Sequence, residues 1–363
     1  MIGPIRVLVI DDSALMRKLI PQILDRDPAI EVIGTAMDGE FGLKKIKELK
    51  PDVVTLDLEM PRMDGMETLR HIMRGPKTPT IMVSASTTDG AASTFKALAL
   101  GAVDFVAKPR DASAGRLEDI AMELTGKIKI AAKAKPTEGK ALAELEPRRV
   151  NKPLLRPKAA PTRLVAIGIS TGGPNALQYM LSQLPGDFPG TLVVVQHMPE
   201  GFTEMFARRL DECCAIDVKE AQSGDLLIAG RALICPGNRH VRVRRRALGD
   251  TVVLSDDQRV NGHRPSCDVL FHSVAAEYGA DSVGLIMTGM GEDGADGLAA
   301  MRTAGAMTIA QDEQSCVVFG MPKAAIERGA AQRVVALDLL PNTLVAQTQA
   351  DRNKVSPANS HAG

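Results

Sequence analysis

The run Arg6-Val7-Leu8-Val9-Ile10-Asp11-Asp12-Ser13 decides how the first third of the chain is read. Its apolar residues follow one another without alternating with polar ones. Such a run makes a strand covered on both faces, as in parallel sheets flanked by helices. The strand stops on two carboxylates, and Ser13 then opens an amphipathic stretch to Leu24 as its N-cap. The pattern recurs downstream. Residues 31–36, 53–56, 80–83 and 102–106 read as strands, and 39–49, 65–73, 90–100 and 116–128 as helices. Units at this spacing imply a parallel, flavodoxin-like α/β sheet with helices on both faces.

Parallel sheets bind ligands at the carboxyl ends of their strands. Asp11 and Asp12 end the first strand, Asp57 the third, Ser84 the fourth and Lys108 the fifth. Crowded carboxylates repel one another unless a cation lies among them, and oxygen ligands of this kind suit Mg²⁺. An Asp beside such a metal can attack a phosphoryl group, with Lys108 and Ser84 stabilising charge on its oxygens. Taken singly, each acid could instead cap a helix. Together, each at a strand end, they point to a site.

Residues 5–125 resemble the receiver domains of two-component response regulators. The resemblance rests on the acidic pair, on Asp57-Leu58-Glu59-Met60-Pro61-Arg62-Met63-Asp64-Gly65 and on Lys108-Pro109. It implies that Asp57 accepts phosphate and that Asp11, Asp12, Asp57 and the Glu59 carbonyl hold Mg²⁺. It also implies a switch built from Ser84, Phe105 and Lys108, and a cis bond before Pro109.

From Lys127 to Pro161 the apolar period disappears, and Lys, Ala, Pro and Glu dominate. Residues 126–161 read as a basic linker, partly helical around 139–146. A partner surface is the alternative, and solvation of a tether the simpler reading. A second α/β pattern fills 162–350. Strands are expected at 164–169, 191–196, 282–287 and 307–310, and helices at 174–184, 202–211, 265–278, 294–304 and 322–328. The stretch 216–254 is β-rich. This implies a Rossmann-like, mostly parallel sheet, followed by a disordered tail at 351–363.

Gly168-Ile169-Ser170-Thr171-Gly172-Gly173-Pro174 leaves a strand and opens a helix. It satisfies G-x-S-x-G, whose small residues allow a tight turn that presents a Ser hydroxyl. Alone the pattern is ambiguous. A Gly-rich turn at a helix N-terminus also cradles phosphate, and Ser170 could be a plain cap. A phosphate loop would prefer a Lys after its last Gly, where Pro174 and Asn175 stand here.

A Ser nucleophile needs a base and a carboxylate. His197 follows the next strand and therefore shares a sheet edge with Ser170. His71 lies in the first domain and His361 in the tail. His240 and His263 read as less well placed, and His272 as a partly buried mid-helix residue. Asp293 lies in Thr288-Gly289-Met290-Gly291-Glu292-Asp293-Gly294 after another apolar strand, which makes it the candidate carboxylate. The glycines of that loop leave the Met290 amide free to donate to an oxyanion. Calcium is disfavoured, because the EF-hand spacing is absent.

The order Ser, His, Asp is not that of the α/β-hydrolases. With the receiver, the Ser turn, and the runs Cys235-Pro236-Gly237-Asn238-Arg239-His240 and Gly262-His263-Arg264-Pro265-Ser266-Cys267-Asp268-Val269-Leu270-Phe271, the chain resembles the chemotaxis protein-glutamate methylesterases. The resemblance implies Ser170 as nucleophile, His197 as base and Asp293 as its orienter, with Met290 as oxyanion donor assisted by Thr171. It implies no cofactor in the hydrolase. The substrates would be glutamate methyl esters, and receptor glutamines, on methyl-accepting chemoreceptors. A receiver would inhibit until a chemotaxis histidine kinase phosphorylates Asp57. The roles of His240, His263 and Glu292 stay open.

The 363 residues carry 44 basic and 44 acidic side chains, no Trp and 3% aromatics. Balanced charge and the lack of a helix-turn-helix pattern speak against a DNA-binding output, and scarce aromatics against base stacking. A nucleotide-binding output would rest on the 168–173 loop alone. Five cysteines without a C-x-x-C pair are expected to be reduced thiols rather than disulfides or a structural zinc site. With no leader pattern and no long apolar run, a cytoplasmic protein without membrane insertion is expected.

Overall fold

The computed structural model describes residues 3–84, 88–108, 114–133 and 160–349. The helix expected at 139–146, the tail from 351 and the Lys108–Pro109 bond lie outside them. The chain divides into two compact units, residues 1–146 and 147–363.

The first unit alternates β1 (Ile5–Ile10), α1 (Ala14–Leu24), β2 (Ile30–Ala36), α2 (Gly39–Leu49), β3 (Val53–Asp57), α3 (Gly65–Arg74), β4 (Thr80–Ser84), α4 (Thr88–Leu100), β5 (Asp104–Ala107) and α5 (Ala114–Ala131). Its strands are all parallel, in the order β2-β1-β3-β4-β5. Val7 to Ile10 and all of β3 and β4 are buried, as unbroken apolar runs in a two-sided sheet require. Helices α1 and α5 pack together on one face, and α2, α3 and α4 follow one another on the other. Ser13 Oγ accepts from Met16 N as the N-cap of α1. Helix α5 continues to Ala131, so residues 126–131, expected to open the linker, are its last turns.

The second unit contains β6 (Leu164–Ile169), α6 (Gly173–Ser182), β7 (Thr191–Gln196), α7 (Thr203–Cys213), β8 (Asp217–Glu220), β9 (Arg231–Ile234), β10 (His240–Arg244), β11 (Thr251–Ser255), α8 (Cys267–Glu277), β12 (Ser282–Ile286), α9 (Ala295–Thr303), β13 (Met307–Gln311), α10 (Met321–Glu327), β14 (Arg333–Val335) and α11 (Leu340–Gln349). A seven-stranded sheet runs in the order β14-β13-β12-β6-β7-β9-β8, and each pairing in it is parallel. Strands β10 and β11 form a separate antiparallel ribbon, which α8 packs against. The apolar sides of α8, α9 and α10 share one core with β6, β12 and the ribbon, through Leu270, Phe271, Leu298, Met301 and Val241. Strand β6 is central. The chain winds from it to β7 on one side and returns as β12 on the other, so the sheet reverses direction between β6 and β12. Crevices form at such points, outside the carboxyl ends of the strands. No helix among the described residues is long and apolar enough to cross a membrane.

Candidate active sites

Ser170 and His197 each stand one residue beyond the end of neighbouring strands. Ile169 of β6 pairs with Gln196 of β7, and His197 N donates to Ile169 O at 3.1 Å, which fixes the two side chains in adjacent register. On the other side Ser170 N donates to Thr288 O at 3.0 Å, tying it to the segment after β12. Gly172 turns the chain into α6 at φ 75, where a Cβ would lie 2.6 Å from Val317. At Gly289 a Cβ would lie 2.8 Å from that of Ser170, so only glycine lets this loop approach the hydroxyl.

His197 Nε2 lies 2.8 Å from Asp293 Oδ2. Its Nδ1 is buried and makes no hydrogen bond. Ser170 is half-buried, and no hydrogen bond links it to the ring among the described residues. The structure therefore joins His197 to Asp293 and sets Ser170 beside them on the next strand.

Asp293 is 1% exposed. Its Oδ2 also accepts from Cys267 N at 2.7 Å, and its Oδ1 from Ser266 Oγ at 2.6 Å and, more weakly, Asp268 N at 3.4 Å. These amides begin α8, and Ser266, its N-cap residue, gives its hydroxyl to Asp293 instead of to the helix. A carboxylate from a distant loop thus occupies the positive end of the α8 dipole. Burial alone would raise its pKa, but the bonds from His197, Ser266 and Cys267 outweigh it and hold the group well below the usual carboxylate range. Asn261 Nδ2 spans from Asp268 Oδ2 at 2.7 Å towards Asp293 Oδ1 at 3.5 Å.

His263, expected to be poorly placed, stacks on His197 with ring centroids 4.0 Å apart and planes 6° from parallel. Burial, with the charge of His197 adding to it, pushes its pKa down to about 4, so this ring is neutral near pH 7. His240 accepts from Ser266 N at Nδ1 and donates from Nε2 to Gln258 O. Burial keeps it neutral as well, which suits a brace for the start of α8. His272 is exposed, not partly buried as expected, because it lies on the outer side of α8. Glu292 pairs with Arg328 at 2.5 Å and faces solvent. Cys267 Sγ, fully buried, lies 3.7 Å from His197 Nε2, and burial together with nearby Asp293 raises its thiol pKa well above normal. Met290 and Thr171 donate no backbone hydrogen bond among the described residues, which leaves both amides available beside Ser170. Sequence reasoning missed Asn261, His263, Ser266 and Cys267 as neighbours of Asp293, although all but Asn261 stand within the run 262–271.

In the first unit Lys108 Nζ lies 2.6 Å from Asp57 Oδ2 and 3.1 Å from Asp11 Oδ2. Ligand atoms of Asp11, Asp12 and Asp57 all fall within 4.8 Å of one another. Asp11 Oδ2 is buried and lacks a well-aligned hydrogen bond, a donor set that fits a hard divalent cation. Burial raises the pKa of Asp57 to about 6, against the pull of Lys108 and with help from Asp11. Glu59 N donates to Asp57 Oδ1 at 3.4 Å, and its side chain is exposed. Ser84 Oγ donates to Gly90 O at 3.3 Å at the end of β4. Phe105 is buried edge-on to Phe95, with ring centroids 6.3 Å apart.

The five cysteines are free thiols.

Comparison with known proteins agrees with both halves of this architecture. The family model described as CheB methylesterase matches residues 165–344, and that of the response regulator receiver domain matches residues 7–118. A protein-glutamate methylesterase/protein-glutamine glutaminase 2 of Koribacter versatilis (strain Ellin345) is 66% identical over 355 residues, covering 96% of this chain and 98% of that protein. One from Symbiobacterium thermophilum is 48% identical over 351 residues, covering 94% and 96%. The crystal structure of the Thermotoga maritima CheB methylesterase catalytic domain aligns with a TM-score of 0.50 at 38% identity, covering 51% of this chain and 97% of that domain. With a receiver in front, a hydrolase behind and close relatives along nearly its whole length, the chain belongs to the CheB methylesterase family.

Proposed function

We propose that this chain hydrolyses glutamate 5-O-methyl esters, and deamidates glutamines, on methyl-accepting chemoreceptors, under control of phosphorylation at Asp57. One observation carries the hydrolytic reading. The His197–Asp293 pair leaves a buried, unpartnered Nδ1 in register with Ser170 at a strand-end crevice.

In this reading Nδ1 takes the Ser170 proton as Oγ attacks the ester carbonyl. The tetrahedral oxyanion is met by the Met290 amide, with that of Thr171 assisting. His197 returns the proton to the leaving methoxide, and methanol departs. A water, deprotonated by the same nitrogen, cleaves the acyl-enzyme to give glutamate and restores Ser170. With a glutamine side chain the leaving group is ammonia. Asp293 stays ionised throughout and faces the imidazolium that forms.

In the receiver, Asp11, Asp12 and Asp57, with the Glu59 carbonyl, would hold Mg²⁺. The metal would neutralise the crowded carboxylates and a phosphoryl oxygen. Lys108, already at Asp57, would pair with the phosphoryl group, while Ser84 and Phe105 would shift with it. The phosphodonor is then a chemotaxis histidine kinase, and the unphosphorylated receiver holds the hydrolase inactive. Residues from 132 to about 161 serve as the tether between the units. We place the protein in the cytoplasm, where both kinase and receptor tails are accessible, and assign no nucleic-acid partner.

The test is methanol release from methylated receptor, with and without a small phosphodonor. Ser170→Ala is expected to abolish turnover while Asp57 still accepts phosphate. Retained turnover in that variant would move the nucleophile elsewhere.

A further inference from the structure

The side of the His197 ring that faces Asp293 holds more than a hydrogen bond. Cys267 Sγ, Asp293 Oδ2 and His197 Nε2, from three separate segments, all lie within 4.8 Å of one another. The Sγ–Nε2 separation is 3.7 Å and the Oδ2–Nε2 separation 2.8 Å. Zinc binds sulfur at about 2.3 Å and imidazole nitrogen at about 2.0–2.1 Å, which in a tetrahedron puts those two atoms about 3.5 Å apart. The sulfur and nitrogen already stand at nearly that spacing. The carboxylate oxygen must retreat from the nitrogen by about 0.5 Å. Asp293 Oδ1 is meanwhile held by Ser266 Oγ at 2.6 Å, the kind of outer contact that orients a metal-binding carboxylate. The thiol of Cys267 has no part in the hydrolysis described above.

We propose that His197 Nε2, Asp293 Oδ2 and the Cys267 thiolate form a capture site for a zinc-class divalent cation, which switches the hydrolase off. The ion takes the Nε2 lone pair, so the ring proton moves to Nδ1, and it takes the place of the thiol proton; one proton is released to solvent, and a water completes the tetrahedron. Thiolate and imidazole select zinc, cobalt or copper over Mg²⁺, so the hard cation suited to the receiver does not compete here. Binding depends only on the three ligand atoms. Inhibition rests on the reading of His197 and Asp293 as the reacting pair: the ion takes the carboxylate that orients the ring and leaves the ring proton on Nδ1, the nitrogen that would accept the Ser170 proton.

The experiment uses the full chain in saturating Mg²⁺, with Co²⁺ as the optical probe. Wild type is expected to show a near-ultraviolet thiolate-to-cobalt band with tetrahedral visible absorption, which Zn²⁺ displaces. Cys267→Val is expected to lose the band, and the Zn²⁺ concentration that halves its methanol release is expected to rise at least tenfold relative to wild type. Cys267→Ser carries the same two expectations should the valine variant misfold. Absence of the band in wild type, or equal Zn²⁺ sensitivity in wild type and the variants, overturns the site. A Cys267-dependent band at which turnover continues supports the site and instead overturns the assignment of His197 and Asp293 to the reaction.

Discussion

His197 Nε2 lies 2.8 Å from Asp293 Oδ2 while Nδ1 is buried without a partner, so the carboxylate selects which nitrogen carries the ring proton. An ionised Asp at Nε2 requires a proton there and leaves the lone pair on Nδ1.

The first prediction follows from that tautomer. Asp293→Asn can turn its amide N–H towards Nε2, which puts the imidazole proton on Nδ1 and blocks the base. Methanol release should fall by about 10³–10⁴-fold, the scale of such a change in a Ser-His-Asp system. Because Asp293 also caps α8 through Cys267 N, about 1 kcal/mol of stability should go with it. Steady-state kinetics and urea unfolding read the two effects separately. A loss below tenfold would mean that another group orients the ring.

His263 offers a second. Its ring lies flat on His197 at 4.0 Å and is neutral near pH 7, so it acts through shape rather than charge. His263→Phe preserves a flat ring and should keep kcat within about threefold. His263→Ala removes the ring stacked on His197 and should lower kcat about tenfold or more, since misplacement near 1 Å costs about a hundredfold. Equal activities of the two variants would deny the stack a positioning role.

Asp57 gives a prediction with a sign in pH. Its folded pKa, raised to about 6 chiefly by burial, exceeds the ordinary value of 3.8, so the native receiver holds a proton that the unfolded chain has lost between those limits. Stability therefore falls as pH rises through that window, and the penalty is complete above about pH 6. A shift of this size corresponds to about 3 kcal/mol. Asp57→Asn lacks this penalty. In the absence of divalent metal its receiver transition should lie above that of wild type at pH 7.5, with the gap closing towards pH 4. Saturating Mg²⁺ at pH 7.5 should narrow the gap by stabilising wild type alone. A gap independent of pH would assign the effect to packing.

The parts of the molecule legible in sequence are those fixed by local pattern and by strand order. The unbroken apolar runs Leu164–Ile169 and Leu192–Val195 mark β6 and the body of β7, because a strand buried on both faces carries no alternating polar positions. The placement of Ser170 and His197 on one sheet edge follows from the two strands being sequential and parallel. The surroundings of Asp293 were not legible. Ser266 and Cys267 reach it from the start of α8, which packs against β6, β12 and β10, and no spacing in the sequence encodes that docking. Strand β14 was also missed, since Arg333 and Val334 are exposed at a sheet edge and leave little apolar signal. Helix α11 was missed for a related reason. Leu340, Pro341, Leu344 and Thr348 carry its buried side, too few apolar residues to announce a helical period.

The last prediction concerns Lys127, which sequence reading placed in a solvated basic run. The structure instead leaves it only 14% exposed at the end of α5, with Nζ 2.5 Å from Phe105 O, 2.8 Å from Glu123 Oε1, 3.3 Å from Asp104 Oδ1 and 5.2 Å above the Phe105 ring. Burial opposes its charge, but Asp104 and Glu123 prevail and raise its pKa. Asp104 is itself buried, and burial raises its pKa despite Lys127. Lys127→Met leaves Asp104 charged and uncompensated, so the receiver should lose about 3–5 kcal/mol. Asp104→Asn combined with Lys127→Met removes both charges and should regain most of that loss, because replacing both members of a buried pair costs far less than breaking it. Urea unfolding of the four proteins in the cycle gives the coupling. If the double variant is no more stable than Lys127→Met alone, the ammonium acts through packing on Phe105 and its carbonyl, and the pair with Asp104 contributes nothing.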